Sequence, residues 1–165
     1  NFYITMASKV RVYGKAQNRT ALGIAHAYMV MYPKATLEDL RKAFPNELNP
    51  DKGTKEIFIY ADEKGTDANW DGYFKVEEEL LTMGDGKKFS VVKMWTKPSL
   101  ERIVNQAKLF NIEVQSVEVL DLENKKKGFN LEYLNGYIPK EDISLSQDSN
   151  FLSRLLRLIK SLFSK

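Results

Sequence analysis

Cysteine is absent from this chain and histidine occurs once, at His26. Disulfides, thiolate metal centres and cysteine nucleophiles are therefore excluded, and one imidazole cannot build a zinc cluster. A reducing compartment suits that composition, so the expected location is cytoplasmic. Long apolar runs are also missing: none approaches the roughly 18 residues of a membrane-crossing helix. The opening Asn1-Phe2-Tyr3-Ile4-Thr5 lacks the cationic flank and apolar stretch of a secretory signal, and Met6 reads as a natural start, making residues 1–6 a leader. Charge of one sign is not in large excess, since the net is +3, too mild to imply a nucleic-acid partner by itself.

What is present is a globular composition. With 43% apolar residues in 165, the chain can bury a core of its own. Its charge is unevenly spread. Residues 6–50 carry seven Lys/Arg against three Asp/Glu, whereas residues 51–95 carry seven against ten. A basic first third thus adjoins an acidic middle.

The clearest periodicity lies between Glu79 and Val117. Asp85-Gly86 separates the apolar runs Leu80–Met83 and Phe89–Trp95, and that dipeptide supplies the positive φ of a tight hairpin. Lys97-Pro98-Ser99 opens a helix, with Pro in a first turn whose amide needs no partner. Leu100, Ile103, Val104, Ala107 and Phe110 follow at helical spacing, Asn111 suits a left-handed cap, and Ile112 and Val114 begin a half-buried return strand.

Before this unit, Lys9–Tyr13 alternates as a strand ended by Gly14. Thr20–Tyr32 is apolar around nearly its whole circumference, as a helix covered on most sides must be. Thr36 and Asp39 form a capping-box pattern ahead of a short helix closed by Pro45. Lys55–Ala61 reads as a strand. After Val117, Val119–Leu122 and Phe129–Leu134 either pair as a hairpin across Asn124–Gly128 or flank a loop. The expected fold class is α+β, a mostly antiparallel sheet with three packed helices over residues 7–138, then a polar linker at 139–150 and a separate amphipathic helix at 151–165.

That last helix is sharply segregated. At about 100° per residue, Phe151, Leu152, Leu155, Leu156, Leu158, Ile159, Leu162 and Phe163 share one arc, and Arg154, Arg157 and Lys160 lie on the other. Each large apolar side chain is worth about 1.5–3 kcal/mol when buried, so the face is expected to meet something. Self-association or docking on its own domain, a protein partner's groove, and an anionic membrane surface all satisfy it, with Phe151, Leu155, Leu158 and Leu162 as the anchors.

Several constellations invite chemical readings. Asp67-Ala-Asn69-Trp-Asp71-Gly72-Tyr73 to Glu78 matches the spacing of a calcium loop, with Asp67, Asn69, Asp71, Tyr73 and Glu78 as oxygen ligands. The segment before it lacks helical period, and a solvated acidic loop is the simpler alternative; no other cofactor is expected. A magnesium-dependent nuclease would need a carboxylate two residues before Lys93, where Val91 stands. His26 lies in a mostly apolar helix, a setting for a hydrogen-bonded structural histidine rather than a general base. The chain is thus expected not to be an enzyme.

For nucleic acid, the candidates are Arg11, Lys15, Arg19, Arg41 and Lys42 near the first strand and helices, with Lys93, Trp95 and Lys97 at the end of the hairpin. Cations contact phosphate and an exposed aromatic can stack on a base; a solvated basic face with Trp95 in the core is the competing reading. The helix pair hints at a helix-turn-helix, but Pro45 and Pro50 interrupt the place of a recognition helix.

The stretch from Tyr73 to Val114, with Asp85-Gly86, the apolar strand ending at Trp95 and the short helix after it, resembles a segment of uncharacterised bacterial proteins. Lys97 and Asn111 stand where those proteins carry small residues or glycine. The resemblance implies a small bacterial domain of no assigned activity and transfers no site residue. The leading expectation is a non-enzymatic bacterial binding protein that contacts nucleic acid through its basic N-terminal face; the alternative is a protein-interaction or membrane-peripheral module acting through its C-terminal helix.

Overall fold

The computed structural model describes residues 7–50, 56–61, 72–116 and 127–139, together with Arg157 and Lys160. The fold is α+β, as the patterning requires; residues 7–139, where described, form three α-helices and two three-stranded sheets where the sequence suggests one. The first sheet has β1 (Val10–Gly14) at its centre, flanked by β5 (Ile112–Ser116) in parallel and β6 (Phe129–Tyr133) antiparallel. The second has β4 (Lys88–Val91) between β2 (Phe58–Tyr60) and β3 (Leu81–Thr82), all antiparallel.

The hairpin forms as its turn residues dictate. Gly86 takes φ +84°, its amide donates to the Met83 carbonyl at 2.9 Å, and Asp85 Oδ1 accepts the Lys87 amide at 3.0 Å. Helix α3 (Lys97–Lys108) starts on Pro98 behind a Thr96/Ser99 capping box, and Asn111 turns the chain with φ +61°. The return strand does not rejoin the hairpin. Its apolar residues Ile112 and Val114 match the alternation of Val10 and Val12, and β5 pairs with β1 in the other sheet. Likewise β6 finds its partner in β1; residues 117–126, which hold the other half of the suggested hairpin, lie outside the described residues.

Helix α1 (Gln17–Met31) packs across all three strands of the first sheet and reaches α3 and β3. Ten of its fifteen residues are buried, which explains why its sequence has no polar face. Gly23 lets it approach: a Cβ there would lie 2.6 Å from Val12 Cγ1 and 3.2 Å from the Phe129 ring. Helix α2 (Leu37–Ala43) carries the Thr36/Asp39 capping box and buries Leu37, Leu40 and Ala43. Beyond it stands a 3-10 turn, Asn46–Leu48, where a recognition helix would be needed. Tyr28 and Phe44 in one continuous core meet the partly buried Phe110, with ring centroids 5.3–5.5 Å apart among the three.

Among the described residues, no helix is long and apolar enough to cross a membrane. The linker beyond Pro139, the leader through Met6, and the anchors Phe151, Leu155, Leu158 and Leu162 lie outside the described residues.

Candidate nucleic-acid interface

The end of β1 and the start of α1 gather cations. Lys15 is exposed, and its amide donates to the Gly128 carbonyl at 2.8 Å, tying the end of β1 to the turn before β6. One turn into α1, the Arg19 guanidinium reaches back to the same turn, donating to the Lys127 carbonyl at 3.1 Å. It also pairs with the Glu79 carboxylate and lies 4.8 Å from the centroid of the Phe74 ring. Lys93, just beyond β4, places its Nζ 5.9 Å from that ring. Phe74 therefore has two cations over it from distant parts of the chain, each within reach of the ring quadrupole.

Glu79 organises the inner side of this region. It is 4% exposed, and a carboxylate so far from water needs partners. Arg19 meets one oxygen, and the other accepts the Val76 amide at 3.0 Å. Its carbonyl accepts from His26 Nε2 at 3.2 Å, which fixes the proton on that nitrogen, because a carbonyl can only accept. The His26 ring lies against Phe129 at 4.7 Å. Burial pushes its pKa down to about 4, more than the Glu79 carbonyl raises it, and Lys127 lowers it further. At neutral pH the imidazole is uncharged. It borders an open cleft of about 400 Å³ with Met29, Val30, Leu80, Thr82 and Lys127.

The remaining sequence candidates are placed elsewhere. Arg11 sits at mid-strand between Glu113 (3.3 Å) and Glu132 (3.6 Å), the residues in register with it on either side, so its charge is already met. Arg41 donates to the Phe58 carbonyl at 2.9 Å beside Glu56. Lys42 at the end of α2 and Lys97 at the start of α3 are exposed. Trp95 is buried and its Nε1 donates to the Val92 carbonyl at 2.8 Å, leaving no ring face for a base.

Of the calcium-loop residues, Asp67, Asn69 and Asp71 lie outside the described residues. Tyr73 is buried and donates its hydroxyl to the Glu56 carbonyl at 2.6 Å, and Glu78 is exposed in a 3-10 turn, Glu77–Glu79. Among the described residues no three His, Asp or Glu side chains converge as a metal site would need. Val91, at the position where a nuclease carboxylate would stand, is fully buried in the core.

The structure thus brings together Lys15, Arg19 and Lys93 from the sequence candidates and adds Lys127, Phe74 and Glu79. Lys127 belongs to the run Lys125-Lys126-Lys127, a visible basic signal. Its place beside Arg19 depends on the β1–β6 register, which local pattern does not encode. Comparisons with family models, with curated proteins and with solved structures gave no match.

Proposed function

We propose that the chain is a non-enzymatic, cytoplasmic binding protein of bacterial type that contacts nucleic-acid phosphates through Lys15, Lys93 and Lys127, arranged about Arg19. The observation that carries this reading is the convergence of Arg19 and Lys93 on Phe74, beside the Lys127–Gly128 turn to which Lys15 is bonded. Arg19 is committed to Glu79, so its role is to hold the frame while the lysines meet the ligand. With Trp95 buried and Phe74 only 1% exposed, the contact is electrostatic and independent of base sequence.

A salt titration of binding to a short DNA duplex tests this. Three neutralised phosphates give a slope of log K against log salt of about −2.7, so a fourfold rise in salt weakens binding about fortyfold. Replacing Lys15 or Lys93 by Ala reduces the slope by about 1 each. Affinity that ignores salt, or is absent at low salt, refutes the reading.

A second reading has its own support. Arg157 and Lys160 are helical and exposed, which suits an amphipathic helix at 151–165 that directs its cations to solvent and its leucines to a partner. Sedimentation with anionic and with neutral vesicles separates a membrane partner from a protein one; retention on anionic vesicles that salt abolishes identifies the membrane.

A further inference from the structure

Large apolar side chains left in water are few on this domain, and they are not scattered. Six are exposed among the described residues, and four of them gather at the end of the first sheet opposite Arg19: Tyr32 (43% exposed), Tyr133 (45%), Leu109 (71%) and Ile138 (80%). The backbone brings them there. The Lys9 amide donates to the Asn111 carbonyl at 2.8 Å and the Leu134 amide donates to the Lys9 carbonyl at 2.9 Å, so the turn after α3 and the segment after β6 flank the start of β1.

Aromatic contacts join the pieces. Tyr32 lies 4.7 Å from Tyr28 and 6.5 Å from Phe110, and Tyr133 lies 6.2 Å from Tyr137, over which Lys9 places its Nζ at 5.7 Å. The pKa of the Tyr137 hydroxyl is pushed up by burial first, then by Tyr133 and Tyr32. A rimmed apolar patch of this kind on a small domain marks a surface that is covered in use.

What covers it is indicated by where the chain goes. The described core stops at Pro139, one residue beyond Ile138, and eleven residues separate it from the amphipathic segment that begins at Phe151. Eleven mostly polar residues have a root-mean-square span of about 18 Å, and hold the segment near the patch at millimolar effective concentration. A second copy in dilute solution cannot compete with that. Arg157 and Lys160 are exposed, as a segment laid down on its leucine arc requires.

We propose that residues 151–165 dock in cis on this tyrosine-rich end, with Leu155 and Leu158 turned toward Tyr32 and Tyr133 and the arginines and Lys160 facing outward. Docking in cis hides the apolar face that a partner or membrane would need, and it stands independently of the phosphate contacts at the opposite end.

The absence of cysteine makes the test direct. In the full chain, the pair Leu109→Cys with Leu158→Cys is treated with a short bis-maleimide at micromolar protein, and the pair Val76→Cys with Leu158→Cys, whose first member is exposed near Arg19, serves as the control. The expected product is an intrachain cross-link in the first pair and at least about tenfold less in the second. Interchain products in the first pair overturn docking in cis in favour of exchange between copies. Equal yields from both pairs, or none from either, overturn docking at this end. As a second arm, Tyr133→Asp with Ile138→Asp is expected to speed tryptic cleavage after Arg154 and Arg157 by about tenfold, since cleavage follows the population of the undocked segment; an unchanged rate overturns the proposal.

Discussion

Replacing Arg19 with Met tests the central structural claim, that one ion pair joins α1 to the turn preceding β3. The substitution keeps the aliphatic stem of Arg19, which packs beside Gly128, and removes the charge. Glu79, 4% exposed with Arg19 in place, would keep the Val76 amide on one oxygen and lose the cation on the other. Removing one member of a buried pair costs about 3–5 kcal/mol. The lower end applies here, about 3 kcal/mol, because the Arg19 side chain is itself 27% exposed and water can reach the gap. For a chain of this size, about 2–4 °C is lost per kcal/mol, so the melting temperature should fall by about 6–12 °C. Urea denaturation of the wild type, Arg19→Met, Glu79→Gln and the double variant closes a cycle. The double variant should be more stable than the sum of the singles predicts by at least about 1–2 kcal/mol. A cost below about 1 kcal/mol for Arg19→Met, or strict additivity, refutes the reasoning.

Two further outcomes follow from the core. Because the folded state holds His26 at a pKa of about 4 against 6.5 unfolded, the unfolded chain binds the extra proton between those values, and this contribution to stability is complete above pH 6.5 and lost as pH falls toward 4. Across that window the loss attributable to His26 is about 3 kcal/mol; the difference between the urea midpoints of wild type and His26→Gln should shrink or reverse at pH 4.5, and parallel pH profiles would remove His26 as the cause. Gly23→Ala should destabilise by about 1–2 kcal/mol, since the clash with Val12 and Phe129 outweighs a gain of about 1 kcal/mol in helix propensity. A more stable Gly23→Ala protein would show that α1 can lift from β1 without cost.

Local patterns were legible wherever the structure is local. Asp85-Gly86, the Thr36/Asp39 cap, Pro98 and Asn111 each sit where their backbone preferences demand, because turn and cap chemistry depends on residues two to four apart. The all-round apolar character of α1 likewise announced its burial. Strand partnership was not legible. Ile112 and Val114 show only that one face of β5 is buried, and the same alternation fits either sheet, so pairing with β1 had to come from how α1 and α3 pack. The site suffered for the same reason. Arg11 and Arg19 look alike in sequence, yet one lies in register between Glu113 and Glu132 while the other reaches Phe74 and Lys127. For Trp95 the sequence offers both a stacking platform and a core residue; its burial and the Val92 carbonyl that holds its indole nitrogen decide for the core.

The central position of β1 governs how the molecule assembles. Val10 pairs with Ile112 on one side and Tyr133 on the other, so β1 precedes both of its partners in the chain and is completed only when β6 has joined. At about 10 residues per second of synthesis, it waits about ten seconds for its first neighbour. Pairings so far apart in the chain also make for slow refolding, since the loop must close before any reward is felt. Helix α1 follows β1 directly in the chain and meets Val12 at Gly23, so it is the near neighbour that can cover this strand before β5 and β6 are made. The close contact at Gly23 thus suits an early seating of α1 on β1 as well as a finished core.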